Sequence, residues 1–204
     1  MARRRAAFHA EGSLGLRITG GEYRGRALAE PPDNRVRPTS DKVRQAIFNI
    51  LAHNDFGFEL EGAKVIDLFA GTGALGLEAL SRGAAFALFV DDSAESRALI
   101  RTNVEALNLT GATKIWRRDA TALGPLGAGA GGPFTLAFLD APYRKGFSEK
   151  ALASLAENGW LSPGALAIAE TAADEKLAAP DGYRVLDTRS YGETAIHILG
   201  ASAG

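Results

Sequence analysis

The sequence predicts an α/β protein: a doubly wound, mostly parallel seven-stranded sheet that carries an N-terminal hairpin-plus-helix extension. Three observations lead there. From Lys64 onward, short β-rich runs alternate with helical stretches, the pattern of strand–helix–strand units whose helices cover both faces of a parallel sheet. The first of those runs feeds a glycine-rich turn. The last two are joined only through Gly192, a joint too short for a crossover, so that pair is antiparallel.

The elements follow in order. Residues 1–15 form a basic N-terminus. Residues 16–28, LRITGGEYRGRAL, read as a hairpin turning at Gly20 and Gly21, and Pro31 and Pro32 end it. Thr39 and Ser40 offer caps for a helix in which Val43, Ile47, Ile50 and Leu51 make one apolar stripe ending near His53. Strands are expected over 64–69, 85–91, 113–117, 134–140, 165–170, 183–190 and 194–199, and further helices near 74–81, 94–107 and 147–157. Residues 123–133, with five glycines, are expected as a flexible loop. The chain thus divides into 1–15, an extension over 16–55, and a main unit over 56–204.

Composition removes several functions. With no cysteine in 204 residues, thiolate metal sites, iron–sulfur clusters and nucleophilic thiols are excluded, and a reducing compartment, the cytoplasm, is expected. His9, His53 and His197 lie too far apart for a local ligand pair, so no metal is expected. No run approaches the roughly 18 apolar residues of a membrane span, and no membrane partner is expected. Net charge is −1, but residues 1–44 hold 10 Lys or Arg against 5 acids while the remainder holds 13 against 19. A basic arm on an acidic body suits a nucleic-acid partner; a solvated basic tail with no partner is the other reading of the same charges.

The strongest local signal is VIDLFAGTGALG over 65–76, a buried strand entering a glycine turn and then a helix. Gly71, Gly73 and Gly76 satisfy G-x-G-x-x-G, and Asp91 follows Gly71 by 20 residues. By template this is a dinucleotide site. Asp67 speaks against it, since a carboxylate beside the turn repels a pyrophosphate. A cationic ligand fits better: S-adenosylmethionine has an ammonium and a sulfonium to meet Asp67 and a ribose diol to meet Asp91, while the glycines allow close backbone approach.

A second signal is Asp140-Ala141-Pro142-Tyr143 at the end of the apolar run 134–139. Open α/β sheets bind ligands outside the carboxyl ends of their strands, so Asp67, Asp91, Asp119 and Asp140 should converge on one crevice. Asp119 alone could equally be a helix cap.

At this point a family comes into view. DLFAGTGALGLEALSRG followed by FVDD, RRDA and DAPY resembles the class I S-adenosylmethionine-dependent methyltransferases. With ITGGEYRGRAL and RPTSDKVRQAIFNIL, the chain looks like the bacterial 16S rRNA guanine-N2 methyltransferases, the RsmD family, over about 16–199. The resemblance implies a Rossmann-like fold, S-adenosylmethionine as cofactor, and ribosomal RNA or the small ribosomal subunit as partner. It also implies that Asp67, Ala70, Gly71 and Gly73 line the methionine end of the cofactor, Asp91 takes the ribose, Asp119 and Ala120 face the adenine, and Asp140, Ala141, Pro142 and Tyr143 hold the target base. Two positions depart from the family, which usually has Glu at Asp91 and Pro at Ala141. Asp keeps the carboxylate on a shorter stem, and Ala141 keeps the carbonyl, with Pro142 still holding it extended.

The segment 140–143 suits methylation of an exocyclic amine. Such a nitrogen is a poor nucleophile because its lone pair is delocalised into the ring. Acceptance of its two N–H groups by Asp140 and the Ala141 carbonyl turns the lone pair outward and stabilises the charge that grows on nitrogen. Tyr143 can stack on an unpaired or flipped base, or serve packing alone. Arg17, Arg24, Arg26, Arg37 and Arg44, with Arg144 and Lys145, form the expected RNA surface; Arg37 and Arg44 could instead close over the cofactor. His197 reads as packing, and His53 as a helix C-terminal residue. Alternatives at this stage are an amino-methyltransferase of another base, such as adenine N6, and a non-catalytic RNA-binding protein on the same fold. A nicotinamide dehydrogenase is disfavoured by Asp67 and by the lack of an evident proton-transfer residue.

Overall fold

The computed structural model describes residues 15–32 and 40–202. Arg37 and the basic run of residues 1–14 lie outside them. The elements are α1 (Asp41–Ala52), β1 (Lys64–Leu68), α2 (Ala74–Ser81), β2 (Phe86–Val90), α3 (Ala94–Ala106), β3 (Thr113–Trp116), β4 (Phe134–Leu139), α4 (Phe147–Glu157), β5 (Leu161–Ala172), β6 (Tyr183–Tyr191) and β7 (Thr194–Ala201), with one 3₁₀ turn over Thr110–Ala112. Among the described residues seven strands form a single sheet in the order β3-β2-β1-β4-β5-β7-β6. β7 pairs antiparallel with both β5 and β6, and the other strand pairs are parallel.

Alternation along the strands divides the core into two layers. Val65, Phe89, Phe138 and Ile168 join α1, α2 and α3 on one face. Ile66, Leu88, Leu139 and Ala169 join α4 on the other. On that second face residues 123–133 take the place of further helices. The segment is the expected loop, anchored to the core at points: Leu123 and Ala130 are buried, and the Trp160 indole donates to the Gly124 carbonyl at 2.7 Å. Its glycines let the chain lie close to aromatic rings. A Cβ at Gly131 would sit 2.7 Å from Phe86.

Strand β5 is longer than the apolar pattern implies, because Leu161 already pairs with Phe134 and a register shift absorbs the Pro163–Gly164 step before Leu166 meets Leu136. The N-terminal hairpin also differs. Pairing is confined to one antiparallel bridge, Arg17 with Ala27, and the chain reverses over 22–25. Gly20 and Gly21 are pressed onto the end of α2 instead: Glu22 donates to the Ser81 carbonyl at 2.7 Å, and a Cβ on Gly21 would lie 1.8 Å from that oxygen.

Ser40 caps α1 by accepting the Val43 N–H, and the stripe of Val43, Ile47, Ile50 and Leu51 is buried with Leu16, Ile18 and Leu28 in the same core as β1. A buried polar cluster locks this segment to α2. Glu78 accepts from the Thr19 amide and hydroxyl, both at 2.8 Å, from Arg82 Nε at 2.8 Å and from Arg44 Nε at 3.3 Å. Arg44 and Glu78 are both fully buried. Asn103 on α3 is buried too and donates to the carbonyls of Ala29 and Thr72, so it ties the extension to the glycine turn.

Candidate active site

A cleft of about 1180 Å³ opens at the carboxyl ends of β1, β2 and β4. Its wall includes Asp67, Ala70, Gly71, Asp91, Asp119, Ala120, Asp140, Ala141, Pro142 and Tyr143. Every expected cofactor and base-holding position except Gly73 thus reaches one crevice, as the strand-end rule requires. Seven acids line it against two cations, Lys42 and Arg118, among the described residues. Such a wall opposes a pyrophosphate and favours a cation.

The glycines divide their work. Gly71 takes φ 57° on the cleft wall, and a Cβ there would meet only the Phe69 carbonyl at 3.9 Å, which leaves open space for a ligand. Gly73, expected on the methionine end, lies behind the wall: it starts α2 at φ 78°, and its missing Cβ would press on Phe89 and Ile100 at 3.2 and 3.4 Å. Its place in the motif comes from helix packing. Phe69 holds φ 56° without being glycine, a strained conformation of the kind that gathers at functional turns. Its ring stacks on Phe147 at 6.4 Å, and both rings line the cleft.

The acids are not equivalent. Asp67 is only 1% exposed, and its Oδ2 accepts the Gly76 N–H at 2.9 Å. Burial, with Asp140 and Asp91 nearby, pushes its carboxyl well above the ordinary range against the lowering effect of the Gly76 bond. It therefore braces the first turn of α2 from behind. Asp91 accepts Gly71 N–H on Oδ2 and Ser93 N–H on Oδ1, each at 2.9 Å, which holds its carboxylate beside the glycine turn. Asp119 is exposed, and no helix follows it. Its Oδ1 accepts the Thr121 hydroxyl and amide, which lower its pKa and close a local turn. Asp140 is half-buried, and Ala141 is buried next to it.

Several residues of the cleft wall escape a reading of the sequence. Glu170, at the end of β5, is 7% exposed and accepts the Tyr143 hydroxyl at 2.5 Å, while Thr194 Oγ1 stands 3.1 Å from the same hydroxyl. The strand-end rule could have found Glu170, which terminates an expected strand as Asp140 does. Lys42, at the exposed start of α1, brings a cation to the cleft wall.

The arginines expected on RNA separate. Arg44 is no surface cation: besides Glu78 its guanidinium reaches the Arg17 carbonyl and Asp41, and it is inaccessible to either RNA or cofactor. Arg17 is half-buried, and its carbonyl serves Arg44. Arg24 and Arg26 are exposed, with Arg26 donating to the Ala106 carbonyl at the end of α3. Arg144 is exposed and ion-paired with Asp174 at 2.6 Å; Lys145 is exposed. His197 is buried between Thr171 and Thr188, and burial lowers its pKa. His53 caps the C-terminal end of α1.

Comparison with known proteins places the chain in a family and a fold. The chain is 37% identical over 198 residues to ribosomal RNA small subunit methyltransferase D of Escherichia coli K12, covering 90% of this chain and 95% of that one. Its fold superposes on the solved structure of Escherichia coli yhhF with a TM-score of 0.77 at 31% identity, over 93% of this chain and 99% of the other. A Salinibacter ruber RNA methyltransferase, solved with S-adenosyl-L-homocysteine, shares the fold at a TM-score of 0.58 and 14% identity, over 82% of this chain and 95% of its own. The fold is that of the class I, Rossmann-like methyltransferases. The model of the family described as conserved hypothetical protein 95 matches residues 16–200, most of the chain, and the chain belongs to that family, the RsmD family.

Proposed function

We propose that this chain transfers a methyl group from S-adenosylmethionine to the exocyclic N2 amine of a guanine in 16S, small-subunit ribosomal RNA. The observation that carries the reading is one acid-lined cleft that holds both the glycine turn at Gly71 and the segment Asp140 to Tyr143. Methylation of small-subunit ribosomal RNA is supported by the relative named above; guanine N2 follows from the resemblance of 140–143 and of the RPT segment to that family.

The residues present fit the cofactor. The open space beside Gly71 admits a ligand backbone, and the acid excess suits a sulfonium and an ammonium. S-adenosylmethionine supplies a methyl group already activated on a cationic sulfur. In this reading Ala70 and Gly71 form the methionine wall, with Asp67 contributing its field and bracing the turn. Asp91, each of whose oxygens keeps a lone pair beyond its backbone bond, accepts the ribose hydroxyls. Asp119 and Ala120 border the adenine end.

Asp140 and the Ala141 carbonyl accept the two amine hydrogens of the base, align its lone pair and offset the positive charge that develops on nitrogen. That nitrogen sheds a proton after transfer, and the Asp140 carboxylate is the adjacent acceptor. Tyr143 supports the base by stacking. Residues 16–55 serve as the RNA-facing extension of the methyltransferase unit 56–204, with Arg24, Arg26 and Lys42 as exposed cations for phosphate and Arg17 at its margin, while Arg144 and Lys145 of the main unit stand directly after the base-holding segment.

Mapping of modified bases in small-subunit RNA from cells lacking the protein, followed by remethylation with the purified chain, tests the reading. One guanine should lose its N2 methyl and regain it. In the same assay Asp140→Ala should lower turnover by about 10² to 10³ fold, as expected for loss of one preorganised polar group, with cofactor affinity retained. Asp140→Asn should be milder than Asp140→Ala, because its amide oxygen still accepts an amine N–H although it no longer takes up the shed proton. Normal turnover in Asp140→Ala would exclude the mechanism, and methylation of an adenine would exclude the substrate.

A further inference from the structure

Tyr143 ends a hydrogen-bond chain that base stacking by itself does not require. Its hydroxyl donates to Glu170 Oε1 at 2.5 Å and lies 3.1 Å from Thr194 Oγ1. The two partners come from neighbouring strands. The β5–β7 register sets Glu170 opposite Ile196 and Ala172 opposite Thr194, so Glu170 and Thr194 emerge diagonally on one face of the sheet. The residue after Tyr143 is fastened to the same strand end: the Arg144 amide donates to Glu175 Oε1 at 2.9 Å, and Glu175 Oε2 accepts the Ala172 N–H at 3.3 Å. Burial, more than the Glu170 bond, raises the Tyr143 pKa above the tyrosine range. Tyr143, Glu170 and Thr194 all line the cleft.

We infer that Glu170 and Thr194 are positioning residues for methyl transfer, which clamp the Tyr143 ring at the base-holding end of the cleft. The inference rests on the reading of 140–143 as the base-holding segment. A tyrosine on a loop samples several rotamers, and ordering it only when the base arrives would weaken each productive encounter. A bond to a carboxylate is among the stronger side-chain hydrogen bonds and fixes the ring in advance. Because Thr194 opens β7 directly after the β6–β7 turn, that hairpin also becomes one wall of the substrate end. A slip of one residue in the β5–β7 register would carry Thr194 to the opposite face and undo the clamp.

The test is a double-mutant cycle in the full chain, read as kcat and KM for methylation of small-subunit RNA from cells lacking the protein, with S-adenosylhomocysteine affinity and Tm on every variant. Glu170→Leu should lower kcat by about tenfold, the scale of a misplaced positioning group, and leave S-adenosylhomocysteine affinity within about twofold. In a Tyr143→Phe background the same change should cost less than about threefold more, because the hydroxyl it acts through is already gone. Glu170→Gln preserves an acceptor and should stay within about threefold of the parent. Thr194→Val keeps size, removes the second contact and should lower kcat by about two- to fivefold without lowering Tm, which keeps the test alive if Glu170→Leu does not fold. Equal losses from Glu170→Leu in both backgrounds, or unchanged kcat in Thr194→Val, would overturn the clamp. Failure of the base-holding reading looks different, since Tyr143→Ala would then retain full turnover.

Discussion

Arg44 offers the sharpest division between a surface role and a structural one. Its replacement by Ala removes the 3.3 Å pair with Glu78, the bond to the Arg17 carbonyl, and the 2.7 Å bridge to Asp41. The last counts for little, because Asp41 is 42% exposed. Breaking a buried pair by deleting one partner costs about 3–5 kcal/mol. Glu78 keeps Arg82 and Thr19, which puts the loss near the lower end, about 3 kcal/mol. The stranded Arg17 carbonyl adds about 1 kcal/mol. A total near 4 kcal/mol should lower Tm by about 8–16 °C for a chain of this length. Arg44→Met, which retains the stem and its packing, should recover part of that loss but not the pairing. Thermal unfolding followed by circular dichroism, beside RNA binding of the folded variant at two salt concentrations, reads both effects. Unchanged Tm together with weakened, less salt-dependent RNA binding would refute the buried network and return Arg44 to the RNA surface.

Two further predictions concern charge. Asp67 has a folded pKa raised above its unfolded value of about 3.9, so its favourable contribution is complete below that value and is lost as pH rises through the folded pKa. Asp67→Asn, whose amide oxygen can still accept Gly76 N–H, should flatten the decline of Tm with pH over that window, and an unchanged slope would show that Asp67 is not the titrating group. Binding of the cationic cofactor should draw the proton from Asp67, so affinity in the parent rises with pH and becomes flat in the variant; calorimetry in buffers of different ionisation enthalpy detects the released proton. Arg24→Ala with Arg26→Ala should weaken RNA binding and reduce the magnitude of its log–log salt slope by about 1 unit per lost phosphate contact, while S-adenosylhomocysteine affinity holds. Unaltered RNA affinity would move the RNA surface away from the hairpin.

The sequence by itself determined much of this protein, and did so where the cause is local. Apolar alternation, a left-handed glycine turn and a serine cap act within a few residues, so the helices 74–81 and 147–157 and most strand cores were legible directly. The convergence of Asp67, Asp91, Asp119 and Asp140 was legible as well, because a parallel sheet sends all its carboxyl ends to one edge whatever the strand order. Tertiary structure decided what each polar side chain meets there. An arginine in a basic arm reads as surface until Glu78, 34 residues away, takes its charge into the core. Asp67 and Asp119 look alike in sequence, yet one is buried at the cleft wall against the start of α2 and the other faces water. Gly71 and Gly73 share a motif, but Phe89 and Ile100 claim the space at Gly73 and leave that at Gly71 open. Glu170 and Thr194 meet Tyr143 only through the β5–β7 register. Burial and pairing depend on which distant segments pack together, and residue type and spacing along one chain do not contain that information.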